Sequence, residues 1–86
     1  MKKTTKRSGT AHNTDFVESL ARGIDVIKAF TPGRMQLTVS DVAKITSLAR
    51  PTARRLLLTL ETLGYVRLIG NNYLLTPKIL ELGTSY

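Results

Sequence analysis

The sequence predicts a mainly α-helical domain with a small β-hairpin, arranged as a winged helix-turn-helix. Residues 39–63 show the first supporting pattern: a short helical segment, a turn at Ser47, and a longer segment whose apolar residues recur every three or four positions. The second pattern follows directly, where two β-rich runs flank a Gly-Asn-Asn sequence at 70–72. Two helices joined by a tight turn and followed by a hairpin define this fold, whose second helix can enter the major groove of DNA.

The charge of the chain favours a polyanionic partner. Thirteen Lys and Arg residues against six Asp and Glu residues give the 86-residue chain a net charge of +7. Residues 1–14 contain four basic residues and no acidic one, and residues 50–78 contain five basic residues against one acidic one. Because a basic surface attracts and captures polyanions, nucleic acid is the leading class of partner.

The composition also limits where the chain is expected to work. It has no cysteine, so disulfides and thiolate metal sites are not expected, and no apolar run approaches the roughly 20 residues that span a membrane. The basic N-terminus is not followed by an apolar segment, which argues against a secretory signal. We therefore expect a cytoplasmic protein without a membrane partner.

The folded domain is expected to begin with a helix after a polar, basic tail. Residues 1–14 should be disordered, either as an arm that tracks DNA or simply as solvated chain, and residues 15–76 should form the domain. Asp15, with Glu18 three residues later, predicts a capped helix start, and Thr-Pro-Gly at 31–33 predicts the end of this helix. Its apolar residues make a wide stripe that serves either the core or a second subunit: Val17, Leu20, Ile24, Val26, Ile27 and Phe30.

The first helix of the central motif has signals at both ends. Thr38, with Asp41 three residues later, predicts a capping box, and the helix is expected to end near Thr46. Ser47 then occupies a turn in which the backbone is expected to become left-handed, a conformation that usually favours Gly.

The second helix is expected to begin near Arg50 with Pro51 in its first turn, and to end before Gly64. Ala49, just before it, lacks the oxygen of the usual cap residues, which Thr46 or Ser47 could supply instead. The apolar stripe of this helix consists of Ala53, Leu56, Leu57, Leu60 and Leu63.

The remaining residues predict a wing and one more helix. Tyr65 and Tyr73 lie in the two strands of the hairpin and are expected to pack in the core rather than to stack on bases. Thr76 is expected to cap a last helix over residues 77–86, in which the apolar residues are Ile79, Leu80 and Leu82.

Duplex DNA recognition needs donors for the phosphates and side chains that reach base edges. A guanidinium suits guanine because its planar fork makes two parallel hydrogen bonds. Arg50 is the favoured base reader. Of Arg54 and Arg55, one is expected to reach the bases and the other the DNA backbone. Glu61 is not placed to pair with any of the three at i+4, which argues against a helix face that is merely solvated. The full set of expected DNA contacts is Thr38, Ser40, Arg50, Pro51, Thr52, Arg54, Arg55, Arg67, Asn71, Asn72 and Lys78.

Some of these residues have a purely structural alternative. Thr38 and Ser40 can serve as a helix cap, hold a phosphate at the helix N-terminus, or do both. Asn71 and Asn72 suit a hairpin turn that requires positive φ, and they could instead touch the DNA backbone or the minor groove.

Three blocks carry a resemblance to a known family: SLARG at 19–23, TARRLLLTLETLGYV at 52–66 and LTPKILELG at 75–83. Over residues 19–86 the chain resembles the N-terminal DNA-binding domain of the IclR family of bacterial transcription regulators, particularly the branch that controls aromatic-acid (β-ketoadipate pathway) catabolism. The family often has Gly in the turn and Ser or Thr near the cap of the second helix, where this chain has Ser47 and Ala49.

The arginine-rich second helix of the motif predicts sequence-specific binding to duplex DNA, as a dimer on an inverted repeat or on paired half-sites. The resemblance implies homodimerisation and the control of aromatic-compound catabolism genes. Dimerisation would use the first helix, through Leu20, Gly23, Ile24 and Ile27. Residues 77–86 would begin a linker helix toward an effector-binding domain outside this sequence, and a small-molecule effector would bind only there.

Other classes of function fit the residues less well. An enzyme needs a nucleophile with a base, paired carboxylates or metal ligands, whereas the acids here are scattered and the single histidine, His12, lies in the tail. No catalytic residue, metal ion or cofactor is therefore expected. A reader of single-stranded RNA needs an aromatic stacking platform, which the sequence does not offer. The remaining alternative is a winged-helix module that binds proteins.

Overall fold

The computed structural model of the chain describes residues 14–84. Its elements follow the predicted order: α1 (Glu18–Ala29), α2 (Val39–Thr46), α3 (Arg50–Leu63), β1 (Val66–Ile69), β2 (Asn72–Leu75), a 3-10 helix (Pro77–Leu80) and α4 (Glu81–Thr84). The predicted winged helix-turn-helix is therefore confirmed. The predicted tail, apart from Thr14, and the last two residues of the predicted final helix lie outside the described residues.

A single hydrophobic core joins the three main helices to the hairpin. α1, α2 and α3 contact one another, and α3 also contacts β1. Leu57 of α3 and Val26 of α1 are completely buried. The other buried side chains come from all of these elements and from the segment before α2: Ala29, Phe30, Leu37, Val42, Ala43, Ala53, Leu60, Val66 and Tyr73.

The two strands of the hairpin pair antiparallel, and β2 is bonded on its outer side as well. Val66 faces Leu75 and Ile69 faces Asn72 across the two strands. Leu37 adds one bridge on the outer side of β2, where its N–H and carbonyl bond the carbonyl and N–H of Tyr73 at 3.0 and 2.7 Å. The segment before α2 thus joins the hairpin through a single bridge pair.

Thr76 closes the base of the hairpin onto the end of α3. Its hydroxyl donates to the Gly64 carbonyl at 2.6 Å, and its N–H donates to the Tyr65 carbonyl at 2.9 Å. Its hydroxyl oxygen also accepts from the Lys78 N–H at 3.2 Å, which confirms the predicted cap. The cap begins a 3-10 helix rather than a continuous α-helix, and Leu80 and Leu82 beyond it are exposed.

The wide apolar stripe of α1 divides into a buried side and an exposed side. Val26, Ala29 and Phe30 enter the core, whereas Leu20 is 64% and Ile24 48% exposed. A Cβ added at Gly23 would meet nothing within 4 Å, so this glycine is not required by any contact among the described residues.

Two details of the helix ends differ from the prediction. The N-cap of α1 is Val17, without a side-chain hydrogen bond, so the predicted Asp15–Glu18 capping pair is wrong. Leu63 is 54% exposed rather than part of the apolar stripe of α3. The reason is that α3 ends there: Gly64 turns the chain at φ 91°, and Val66 takes the next place in the core.

Candidate nucleic-acid interface

The start of α2 is fixed by the predicted capping box. The Asp41 N–H donates to the Thr38 hydroxyl oxygen at 3.1 Å, and the Thr38 N–H donates to the Asp41 carboxylate at 3.0 Å. The backbone hydrogen bond from Thr38 is the main reason that the pKa of Asp41 lies below its ordinary value. Because this carboxylate occupies the helix N-terminus, it opposes a phosphate there, and the exposed Ser40 hydroxyl is the better placed of the two predicted contacts.

A left-handed turn sets the angle between α2 and α3. Ser47 adopts φ 59° and ψ 32°, as predicted, and the Leu48 N–H donates to the Ala43 carbonyl at 3.0 Å. Leu48 then packs against the core. These contacts place the first turn of α3 beside α2, with its N-terminus facing outward.

The N-terminus of α3 is not capped by a side chain. Ala49 has the extended conformation of an N-cap residue, with φ −63° and ψ 146°, but makes no side-chain hydrogen bond. The predicted compensation by Thr46 or Ser47 is wrong, because the Thr46 hydroxyl donates to the Val42 carbonyl at 2.6 Å and Ser47 belongs to the turn. Pro51 has no N–H to satisfy, so within the described chain the Thr52 N–H stays open to a ligand.

The three arginines of α3 are exposed, and within residues 14–84 none of them forms an ion pair. Their directions differ. At about 100° per residue, Arg55 lies about 160° around the helix from the buried Ala53 and Leu57, and so points away from the core. Arg50 lies only about 20° from the direction of Leu57 and is exposed because it precedes the core along the helix axis.

The wing carries three of the predicted contacts. Arg67 and Asn71 are exposed and Asn72 is half-buried. Gly70 has φ 63°, whereas Asn71 and Asn72 do not have positive φ, so the turn is Gly70-Asn71 and the conformational argument for two asparagines is wrong. By the alternation of side chains along strands, Arg67 and Asn72 share the hairpin face opposite to Val66.

Lys78 is separated from the arginines of α3. Its Nζ lies 5.6 Å from the centre of the Tyr65 ring, and its side chain covers Gly64 at the C-terminal end of α3. The 14 residues of α3 span about 20 Å, so Lys78 and Arg50 lie at opposite ends of the helix. Tyr73 is buried in the core, as predicted.

Leu58 lies on the outward face of α3 and is not among the predicted site residues. It stands in a run of three leucines, of which Leu56 and Leu57 belong to the apolar stripe that packs toward the core, and the spacing of that stripe leaves Leu58 outside it. Projecting the sequence onto a helix separates it from the others, because Leu58 is three residues after Arg55 and faces the same way.

Two further classes of site are absent from the described part of the chain. Residues 14–84 contain no group of three or more His, Cys, Asp or Glu side chains that could hold a metal ion. None of the helices found there is both long and apolar enough to cross a membrane.

Comparisons with known proteins agree with this geometry. The IclR helix-turn-helix domain family matches residues 19–69. The chain is 44% identical over 72 residues to the Pca regulon regulatory protein of Pseudomonas putida. The matched stretch covers 84% of this chain and 25% of that protein. It is 38% identical over 72 residues to the p-hydroxybenzoate hydroxylase transcriptional activator of Acinetobacter baylyi, covering 84% of this chain and 27% of that protein.

A crystal structure gives the same result for the fold. An IclR family transcriptional regulator from Brucella abortus superimposes with a TM-score of 0.83 at 38% identity, covering 88% of this chain and 30% of that one. The chain therefore spans between about a quarter and a third of the length of these relatives. They are transcriptional regulators rather than enzymes, which confirms the expectation that the chain is not an enzyme. The chain belongs to the IclR family and contains its helix-turn-helix DNA-binding domain.

Proposed function

We propose that this domain reads duplex DNA sequence-specifically by placing the N-terminal half of α3 in a major groove. The observation that carries the proposal is the set of three exposed guanidinium groups at that end of the helix, none of them paired within the described chain. Buried Leu57 and Leu60 hold the opposite face of α3 against the core, so the arginines are presented from a rigid element.

The directions of the arginines suggest different roles. Arg55 points directly away from the core and is the better candidate to read a guanine through its O6 and N7 atoms, in place of Arg50, which the sequence favoured. Arg54 lies about 100° around the helix from Arg55, on its flank, and Arg50 lies in the first turn on the same side, so both are suited to phosphates beside the groove. The open Thr52 N–H and its hydroxyl, with Ser40 on α2, add donors for the same backbone.

The wing is proposed to contact the DNA beside this groove. Arg67 and Asn72 share one hairpin face, and Asn71 forms its tip, so a backbone or minor-groove contact can use all three. Lys78 stays a predicted phosphate contact, but its position at the far end of α3 makes its contribution smaller than that of Arg54.

Binding of defined variants to a duplex selected from a random pool tests this assignment. Arg55→Ala should weaken binding by about 5- to 150-fold, which corresponds to the loss of one bidentate base contact of about 1–3 kcal/mol. Arg22→Ala removes the same charge from α1, where Arg22 pairs with Glu18 at 3.5 Å, and serves as the matched control. Equal effects of the two substitutions would show that Arg55 contributes only charge.

A salt titration separates DNA binding from the alternative of a protein-interaction module. Each phosphate contact releases counterions, so the logarithm of the affinity should fall steeply and linearly with the logarithm of the salt concentration. Arg54→Ala should reduce the slope by about one. A nearly flat salt dependence, with no sequence enriched from the pool, would favour a protein partner instead.

We also propose that α1 pairs with a second copy of the chain, so that the dimer binds an inverted repeat. Exposed Leu20 and Ile24 and the uncrowded Gly23 form the available surface, whereas Ile27 packs partly against the core of its own chain. Sedimentation of the Ile24→Glu variant should show a larger monomer fraction than the wild type. Met35→Glu, at another exposed apolar residue, is the matched control.

The names of the relatives support one further proposal on the genes controlled. The Acinetobacter relative is an activator for p-hydroxybenzoate hydroxylase, so we propose that the regulator containing this domain controls genes of aromatic-compound catabolism. A small-molecule effector would act through a C-terminal domain outside this sequence. Sequencing genomic DNA fragments that the chain retains should place its sites beside such genes, and sites beside unrelated genes only would contradict the proposal.

A further inference from the structure

We propose that Leu58 reads the 5-methyl group of a thymine that lies next to the base contacted by Arg55. This inference rests on the DNA binding proposed above and adds to it a residue that determines specificity. Leu58 is 36% exposed, on a helix that otherwise turns its apolar side chains toward the core up to Leu60. Single exposed leucines are common on protein surfaces, so its position among its neighbours is what matters.

Leu58 lies between Arg54 and Arg55 on the surface of α3. It follows Arg54 by four residues and Arg55 by three, and both spacings bring side chains together on a helix surface. Viewed along the helix axis, its direction falls between those of the two arginines, about 5 Å further along α3. A major groove that receives the Arg55 guanidinium therefore also receives Leu58, which lies about 60° around the helix from Arg55.

The surface around Leu58 has few polar groups left for base edges. The Thr59 hydroxyl donates to the Arg55 carbonyl at 3.0 Å, and the Thr62 hydroxyl donates to the Leu58 carbonyl at 3.0 Å. Their hydroxyl protons are used within the helix, and their methyl groups remain. Beyond the arginines, the outward surface of α3 is formed by Leu58 and the methyl groups of Thr59 and Thr62, with the exposed Glu61 on its flank.

Only one group on the major-groove edges of the four bases is apolar, and that is the thymine methyl. Burying it against Leu58 removes apolar surface from water, whereas a cytosine or adenine amino group at the same place would lose its hydrogen bonds to water. We therefore expect the bound sequence to contain a required thymine next to the guanine read by Arg55.

Replacement of thymine by deoxyuridine removes this methyl group and nothing else, so it tests the contact directly. The full 86-residue chain first selects its sites from a random duplex pool, and each thymine of the enriched duplex is then replaced in turn. One position in each half-site should weaken binding of the wild type by about fourfold, equivalent to about 0.8 kcal/mol for one methyl group. This measurement on the wild-type chain does not depend on the folding of any variant.

The variant Leu58→Ala should then bind the thymine and deoxyuridine duplexes equally well, because the partner of the methyl group is gone. Leu80→Ala, at an exposed leucine away from α3, should discriminate between them as the wild type does. The inference is overturned if no thymine position responds, or if Leu58→Ala still discriminates fourfold. In either case a strong effect of Arg55→Ala would leave the proposed function intact, whereas a pool without any enriched sequence overturns both.

Discussion

The uncapped start of α3 makes a stability prediction that can be worked from the structure. Ala49 already has the backbone conformation of an N-cap, so a serine there needs no change of the chain. Since the next residues are Arg50 and Pro51, the only N–H within the usual reach of a cap side chain is that of Thr52. The substitution Ala49→Ser therefore supplies an acceptor to an amide that has none within the described chain.

The expected gain is about 1 kcal/mol, within the range of about 0.5–2 kcal/mol measured for helix caps. For a domain of this size it raises the melting temperature by about 4–8 °C. Thermal unfolding followed by circular dichroism measures it. Ala21→Ser, the same substitution inside α1, is the matched control and should leave the domain slightly less stable, because serine is a weaker helix former than alanine.

The variant Ala49→Asp separates stability from DNA binding. Its carboxylate caps the same amide and interacts favourably with the helix dipole, so the melting temperature should rise at least as much as with serine. In the proposed complex the same negative charge would face the phosphates, so affinity for the selected duplex should fall. If neither Ala49→Ser nor Ala49→Asp melts above the wild type, the start of α3 is already satisfied and the proposed open amide is wrong.

Further variants test other parts of the structure. Gly64→Ala should destabilise the domain by about 1–2 kcal/mol in a urea titration, because φ is 91° there and the new Cβ would lie 3.2 Å from Lys78 Cδ. Unchanged stability would show that Gly64 does not need the left-handed conformation described here. Gly23→Ala in α1, with open space around its Cβ, should stabilise the monomer by about 1 kcal/mol in the same titration. Because the folded-state pKa of Asp41 is depressed, its contribution to stability is present above the ordinary value of 3.8 and is lost as the pH falls through the lower folded value. As the pH is lowered, the melting temperature of Asp41→Asn should therefore fall less steeply than that of the wild type. Identical curves would show that the Asp41 carboxylate does not contribute to the loss of stability in acid.

The elements of the fold could be predicted because their signals are local. The capping box of Thr38 and Asp41, the left-handed Ser47 and the terminal Gly64 each act within a few residues, and the structure has all three. The start of α1 was different. An acid at Asp15 and another at Glu18 match a capping pattern, but the helix begins only after Val17, so the pattern alone did not fix the first turn.

The directions in which the side chains of the candidate site point could not be predicted without the packed structure. Sequence spacing placed Arg50, Arg54 and Arg55 off the apolar stripe, yet only burial of Ala53 and Leu57 shows which arginine points away from the core. The two-residue turn at the wing tip was similarly hidden, because an Asn-rich sequence suits several hairpin registers. Pairing of Ile69 with Asn72 selects one of them and leaves positive φ to glycine.

Two of the hydrogen bonds made by Thr76 have a structural consequence. They join the base of the hairpin to Gly64 and Tyr65, the two residues that directly follow α3, and the chain continues from there into the 3-10 helix at Pro77. We therefore expect a rotation of the chain beyond Pro77 to be transmitted through these two hydrogen bonds to α3, the helix proposed to read DNA.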